Sequence, residues 1–183
     1  MKDIDATLYA CFLDGDVAAL EELIRRYSDG LIRFSYLYVK DSFVAEDVAE
    51  DTFATLFIKR KKFTKQAKFK TYLYRIARNK CIDYLRSKKR SVPLSDVENL
   101  LTSANVEEFL PNRELHATVY RCLGELPKQY QDVLHLAYLE GFSVSEICKI
   151  TSKTAKQVYN LLSRAKISLK QLLIKEGVSY EDL

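Results

Sequence analysis

The side chains that could do chemistry in this sequence are cations, carboxylates and aromatic rings. Between Lys59 and Arg90 stand fourteen Lys and Arg residues and a single acid, Asp83, so the local net charge is +13. Aromatic residues are interleaved with these cations. Because cations bind phosphates and aromatic faces stack on unpaired bases, this block predicts contact with a nucleic-acid strand whose bases have left the stack. The alternative is a solvated helix face, which so high a density of charge disfavours.

A second basic block extends from Lys149 to Lys175, with seven cations and no acid. Between Asp41 and Ile58 the pattern is reversed, because five carboxylates occur there with no cation. The formal net charge of the whole chain is only +4, so its charge is segregated rather than large. Two basic blocks predict two polyanion-binding surfaces, with solvated helix faces as the alternative.

No arrangement of residues indicates an enzyme. There is no nucleophile paired with a base, no glycine loop of the kind that cradles phosphates, and no cluster of metal ligands. The four cysteines, Cys11, Cys81, Cys122 and Cys148, are far apart and form no C-x-x-C pair. We expect them to be reduced thiols buried in the core, and we expect no catalytic residue, metal, cofactor or small-molecule substrate.

The N-terminal residues and the hydropathy of the chain predict its location in the cell. Residues 1–5 are acidic overall, with Asp3 and Asp5 against Lys2, and no apolar h-region follows them. No apolar run approaches the length of about 18 residues that a membrane span requires. We therefore expect no secretory signal, no membrane span and a cytoplasmic protein.

The composition favours helices over strands, since the 183 residues include only 5 glycines and 3 prolines. We predict an all-α fold of two small helical domains, residues 1–90 and 113–183, joined by a polar, weakly periodic linker over 91–112. The predicted helices cover 16–27, 29–39, 41–61, 69–89, 111–123, 127–141, 144–150 and 155–175.

Two capping boxes give the sharpest local signal, Ser143 with Glu146 and Thr154 with Gln157. They bracket a short helix, a tight turn and a long helix, which is the pattern of a helix-turn-helix. The long helix presents amide, hydroxyl and cationic groups on one face, and such groups reach phosphates and base edges in a major groove. The alternative is an ordinary amphipathic helix with a solvated face.

The predicted third helix has an acidic face. At about 100° per residue, its acids Glu46, Asp47, Glu50 and Asp51 fall on one side, with apolar residues opposite. Acids four residues apart repel each other, which suggests a docking site for a basic partner. The alternative is that the helix dipole favours acids near the helix N-terminus. The residues alone leave both open.

The predicted fourth helix has a basic face. Arg75, Arg78, Asn79 and Arg86 fall within an arc of about 100°. Some of the neighbouring aromatic residues must pack in the core, and we expect Phe69 and one tyrosine to do so.

Two groups of motifs resemble a known family. The segments 45–53 and 70–86 resemble region two of extracytoplasmic-function sigma factors, which belong to the sigma-70 family of RNA polymerase sigma factors. The segments 126–127, 140–147, 157–158 and 163–166 resemble region four of the same family. The resemblance covers about residues 16–90 and 114–173, in the expected order.

The resemblance implies a non-enzymatic sigma factor that binds core RNA polymerase and promoter DNA and directs promoter recognition, DNA melting and transcription initiation. Because no long C-terminal extension is present, it also implies that a separate anti-sigma factor does the sensing. The implied polymerase-binding residues are Glu46, Asp47, Glu50, Asp51 and Phe53. Those for the minus-ten element are Lys62, Phe63, Lys65, Lys68, Lys70, Tyr72, Arg75, Arg78, Asn79 and Arg86. Those for the minus-thirty-five element are Lys153, Thr154, Lys156, Gln157, Tyr159, Asn160, Ser163 and Arg164.

The sequence departs from the family pattern at several positions. Glu50 stands where Gln is usual, and Tyr72 stands where Trp is usual. Lys156, Tyr159 and Asn160 replace the common Gly, Lys and Ser. The residues by themselves also allow an ordinary regulator that dimerises through residues 1–60 and binds duplex operator DNA, or an adaptor sequestered by an acidic partner.

Overall fold

The computed structural model describes residues 3–60, 68–91 and 113–178. Contacts divide the chain into two compact units, residues 1–102 and 103–183. Within the described ranges all regular structure is helical, so the predicted all-α class is confirmed. None of the described helices is long and apolar enough to cross a membrane.

The first unit contains four helices. They are α1 (Ile4–Leu13), α2 (Val17–Val39), α3 (Ser42–Lys59) and α4 (Phe69–Ser91). The carboxylates of Asp3, Asp16 and Asp41 cap the first three by accepting a backbone N–H three residues further on, at 3.1, 3.4 and 3.2 Å. Sequence reasoning missed α1, because a helix of fewer than three turns has too few residues to show periodicity.

The predicted break between the helices 16–27 and 29–39 is wrong, because α2 runs through it without interruption. Asp29 would suit a cap and Gly30 a helix end, yet both lie inside the helix. A glycine costs a helix interior about 1 kcal/mol. Full burial of Leu23 and Leu31, one on each side of this point, offsets that cost, since each such side chain contributes about 1.5–3 kcal/mol.

Aromatic rings fill the core of the first unit. Phe69 packs 5.2 Å from Tyr9, and Phe34 packs 5.3 Å from Tyr74, measured between ring centroids. Phe69 and Tyr74 are 0% and 1% exposed. The expectation that Phe69 and one tyrosine belong to the core is therefore confirmed.

The second unit contains α5 (Arg113–Glu125), α6 (Lys128–Leu134), a π-helical turn (His135–Leu139), α7 (Val144–Thr151) and α8 (Ala155–Lys175). Gly124 does not end its helix as predicted. The amide nitrogen of the buried Gln131 side chain donates to the carbonyls of Gly124 and Leu126, at 2.9 and 2.6 Å. These bonds supply the partners that helix-end carbonyls need, so no glycine cap is required at this point.

The predicted helix over 127–141 is also different in detail. Residues His135–Leu139 form the π-helical turn, and the His135 imidazole lies 3.4 Å from the Glu140 carboxylate. The helix then ends before Gly141, whose φ of +69° suits glycine.

The helix-turn-helix and both capping boxes are present as predicted. The glycine often found in such a turn is replaced by Ser152, which adopts a φ of +58°. Its backbone N–H donates to the carbonyl of Cys148 and closes α7. Ile147, Ile150 and Val158 are buried and pack the two helices together.

All four cysteines are free thiols. Cys81 and Cys122 are buried, and burial raises the pKa of the Cys122 thiol. Cys148 is half-buried, and the prediction of burial is wrong for Cys11, which is exposed. The reason is that α1 buries the side that carries Tyr9 and Phe12, so Cys11 falls on the outer side.

Candidate nucleic-acid and partner interfaces

The acids of α3 lie on its outer side, because the opposite side is buried. Ala45, Val48, Ala49, Thr52, Phe53 and Leu56 face the interior. Asp47, Glu50 and Asp51 are exposed and Glu46 is half-buried. Phe53 is only 6% exposed, so its ring packs in the core of the first unit and is not part of the outer surface of α3.

Apolar side chains flank these acids on the same outer side, and sequence reasoning missed them. Phe43 is 79% exposed, Phe57 47% and Ile58 77%. Phe43, Asp47, Glu50, Ala54 and Phe57 follow each other at intervals of four, three, four and three residues. That spacing is the seam by which one helix packs along another. We give the name α3 face to the outer side of this helix, which consists of the half-buried Glu46 and the exposed Phe43, Asp47, Glu50, Asp51, Ala54, Phe57 and Ile58.

The carboxyl end of the α3 face is held by rings and a cation. The Phe57 ring lies 5.9 Å from the buried Phe12 ring of α1. The Arg60 guanidinium lies over both rings, at 5.3 and 5.4 Å from their centroids. Cation–π contacts of this kind contribute about 0.5–1 kcal/mol at exposed sites. Phe57 is thus fixed in place although almost half of it is exposed.

The basic side of α4 is displayed in the same unit. Lys68, Arg75, Asn79 and Arg86 are exposed, and Lys70, Tyr72 and Arg78 are half-buried. The opposite side of α4 is held by the core through Phe69, Leu73, Tyr74, Ala77 and Cys81. Burial raises the pKa of the Tyr72 phenol above its usual value. Lys62, Phe63 and Lys65 lie outside the described residues.

Two cations of α4, Lys70 and Arg86, make contacts with side chains of the same helix. The ammonium group of Lys70 lies 5.5 Å from the centroid of the Tyr74 ring. Arg86 lies 3.6 Å from Asp83, three residues earlier, and both side chains are largely exposed. An exposed pair contributes at most about 1 kcal/mol, so Arg86 can exchange Asp83 for a phosphate at little cost.

The outer face of α8 carries the predicted minus-thirty-five residues. Lys156, Tyr159, Asn160 and Ser163 occur at intervals of three, one and three residues, so they share one face, and all are exposed together with Arg164. Lys153, in the turn before α8, is half-buried.

Thr154 and Gln157 are exposed, but they form the capping box at the start of α8. The Thr154 backbone N–H donates to Gln157 Oε1 at 2.9 Å, and the Gln157 N–H donates to Thr154 Oγ1 at 3.3 Å. These bonds fix the helix N-terminus, where backbone N–H groups favour phosphate. Of the predicted minus-thirty-five residues, five exposed side chains remain that take no part in the capping box: Lys156, Tyr159, Asn160, Ser163 and Arg164.

Comparison with known proteins decides the family. The family model for Sigma-70 region 2 matches residues 23–91, and that for Sigma-70, region 4 matches residues 116–169. The chain is 30% identical over 164 residues to the ECF RNA polymerase sigma factor SigM of Bacillus subtilis, covering 88% of this chain and 99% of that protein. The chain belongs to the extracytoplasmic-function sigma factors of the sigma-70 family. A second relative of this sigma factor, SigW of Bacillus subtilis, is 28% identical over 170 residues, covering 87% of this chain and 91% of its own length.

A solved structure shares the fold of this sigma factor. It is the sigma factor RpoE in complex with the anti-sigma factor NepR from Bartonella quintana, with a TM-score of 0.70 and 20% identity, covering 84% of this chain and 95% of that one. The region 2 match takes in most of α2 together with α3 and α4, and the region 4 match extends from within α5 into α8. Helix α1 lies outside both matched ranges. Among the described residues no three His, Cys, Asp or Glu side chains cluster as metal ligands would.

Proposed function

We propose that this sigma factor binds core RNA polymerase and directs it to promoters, where it favours DNA melting and the start of transcription. The observation that carries the proposal is the exposed side of α4, where Arg75, Asn79 and Arg86 lie outward while the opposite side is fixed in the core. A rigid helix with a cationic outer side can hold a DNA strand by its phosphates at little entropic cost. No catalytic step is needed, so the protein acts by binding and is not an enzyme.

The α3 face is the proposed docking site for core polymerase. Its acids, Glu46, Asp47, Glu50 and Asp51, complement a basic partner, and its seam spacing suits a helical one. Phe43 and Phe57 supply apolar contact area at the two ends of the acids. Phe53 contributes only by supporting α3 from the interior.

The minus-ten element is proposed to bind the basic side of α4. Lys68, Lys70, Arg75, Arg78 and Arg86 would hold phosphates, Tyr72 would stack on an unpaired base, and Asn79 would contribute to base choice. The assignment of Lys62, Phe63 and Lys65 to the same element rests on the sequence alone. Because these groups bind an unpaired strand better than a duplex, they shift the equilibrium toward melted DNA.

The minus-thirty-five element is proposed to bind α8 in a major groove. Lys156, Tyr159, Asn160, Ser163 and Arg164 would meet phosphates and base edges. Lys153, Thr154 and Gln157 would set the helix N-terminus against a phosphate. We assign residues 1–90 to region two, 91–112 to the linker and 113–183 to region four.

We further propose a cytoplasmic location and control by an anti-sigma factor. A structure with this fold is a sigma factor in complex with an anti-sigma factor. The α3 face would suit such a partner as well, since it combines acids with exposed apolar side chains.

Run-off transcription tests the proposal. The purified protein is added to bacterial core polymerase with a library of genomic fragments, and the products are mapped. We expect transcripts that start at a shared pair of sequence elements, and none when the protein is omitted. Failure to give any directed transcript, together with tight binding to duplex DNA by a dimer without polymerase, would establish the rival helix-turn-helix regulator instead. Membership of the sigma family disfavours that rival.

A further inference from the structure

Asp3 joins the N-termini of two helices that are far apart in the sequence. Its Oδ1 atom accepts the backbone N–H of Ala6 at 3.1 Å and so caps α1. Its Oδ2 atom accepts the backbone N–H of Phe69, the first residue of α4, at 2.9 Å. The first N–H groups of a helix have no partner within the helix, and the helix dipole gives them partial positive charge. One carboxylate therefore serves two helix N-termini at once.

Aromatic packing surrounds this junction. The fully buried Phe69 ring lies 5.2 Å from Tyr9 of α1 and 6.2 Å from Tyr27 of α2, between centroids. The Tyr27 hydroxyl donates to the carboxylate of Asp5, which also accepts from Arg26 at 2.9 Å. The start of α4 thus contacts Tyr9 of α1 and Tyr27 of α2, and the Asp5 carboxylate links α1 to α2 beside this junction.

We propose that Asp3 is a positioning residue for the minus-ten interface, an inference that rests on the function proposed above. The carboxylate fixes the first turn of α4, in which Lys70 and Tyr72 stand and which exposed Lys68 precedes. These are the groups assigned to phosphates and to an unpaired base. If the first turn frays, binding DNA must order it again, and the cost of that ordering is subtracted from the affinity.

The variant Asp3→Asn separates this role from capping. An asparagine side chain has a single acceptor oxygen, so it can cap α1 through Ala6 but cannot also accept from Phe69. Its amide group would instead turn a donor toward the Phe69 N–H. Asp3→Ser is a second variant of the same kind, because serine caps helices well and has only one oxygen. The matched control is Asp16→Asn, since Asp16 caps only α2, through Ala19.

Three measurements test the proposal on the full chain. Amide hydrogen exchange reports the Asp3–Phe69 bond directly. Fluorescence anisotropy reports the affinity of the assembled holoenzyme for a labelled single strand carrying the minus-ten sequence of a promoter found by run-off transcription. Titration with core polymerase reports docking.

In Asp3→Asn we expect Phe69 amide exchange to be faster by roughly tenfold or more, since a hydrogen bond to a charged group is lost. We expect affinity for the single strand to fall about three- to tenfold. Polymerase affinity should stay close to wild type, and the melting temperature should fall by about 4–8 °C for each kcal/mol lost with the bond. Every value for Asp16→Asn should stay close to wild type. Faster Phe69 exchange with unchanged single-strand affinity in both Asp3 variants would overturn the positioning role. Wild-type holoenzyme that does not bind the single strand would instead refute the function on which the inference rests.

Discussion

The ammonium nitrogen of Lys80 on α4 lies 3.2 Å from the Oδ2 atom of Asp51 on α3. The pair joins the helix of the proposed docking face to the helix of the proposed minus-ten interface. Asp51 is 71% exposed at its side chain and Lys80 27%, so the pair contributes at most about 1 kcal/mol to stability. Its consequence for function is that Asp51 already shares its charge with a cation. Asp47 and Glu50 have no ion pair within the described part of the chain, so they are the acids most available to a basic partner.

Charge reversal on the α3 face should weaken polymerase docking without unfolding the protein. We expect Asp47→Lys with Asp51→Lys to weaken the affinity for core polymerase by at least about tenfold, because attraction is replaced by repulsion. Surface plasmon resonance measures the affinity and circular dichroism the fold. Asp29→Lys, an exposed reversal on α2, is the control. Wild-type affinity in the folded double variant would remove the docking assignment.

The exposed ring of Phe43 should contribute to docking but not to folding. The side chain is 79% exposed, so Phe43→Ser should change the free energy of unfolding by less than about 0.5 kcal/mol. Loss of an aromatic anchor at an interface should nevertheless weaken polymerase binding about tenfold. Ile174→Ser, at an apolar position of α8 that is 60% exposed, is the control. Equal polymerase affinities for the two variants would exclude Phe43 from the interface.

The helix-turn-helix was predictable because its signals are local. Each capping box involves residues three apart, and both boxes form the bonds that their residue types imply. The acid and core sides of α3 were likewise readable from angle alone. The break predicted in α2 was wrong because Asp29 and Gly30 are local signals that burial on either side overrides.

Other features depend on residues that are distant in the chain and leave no local pattern. The bond between Asp3 and Phe69 spans 66 residues. The contact between the rings of Phe12 on α1 and Phe57 on α3 likewise leaves no trace in the spacing of either helix. By contrast, the spacing that puts Phe43 and Phe57 on the same side of α3 is visible in the sequence alone. It could have been found without knowing which helices pack against α3.

A single arginine on α4 should change the salt dependence of DNA binding. Each phosphate contact on a single strand contributes a slope of about −0.7 in a plot of log affinity against log salt. We expect Arg75→Gln in the holoenzyme to make the slope shallower by about that amount. Arg25→Gln, at an exposed cation of α2, should leave it unchanged. Anisotropy titrations over a range of salt concentrations give the slopes, and identical slopes would show that Arg75 does not contact phosphate.

The buried amide of Gln131 should be a major source of stability in the second unit. Gln131→Ala removes two hydrogen bonds and leaves the Gly124 and Leu126 carbonyls without this donor. We expect a loss of about 2–4 kcal/mol in the free energy of unfolding, measured by urea denaturation. Gln129→Ala, an exposed change on the same helix, is the control. A loss below about 0.5 kcal/mol, the range of ordinary surface changes, would show that the turn does not depend on Gln131.

Stability at alkaline pH should depend on Tyr9. Burial, followed by the charge of nearby Tyr72, raises the pKa of the Tyr9 phenol to about 12, whereas an unfolded tyrosine titrates near 10. Below pH 10 both states keep the proton and the contribution of Tyr9 to stability is complete. As pH rises from about 10 to about 12, the unfolded state loses its proton first, so the free energy of unfolding falls. Tyr9→Phe has no proton to lose, and its stability should fall less steeply over this window than that of the wild type. Urea denaturation at a series of alkaline pH values measures both slopes. Parallel slopes would mean that the Tyr9 phenolate is as well accommodated in the folded state as in water.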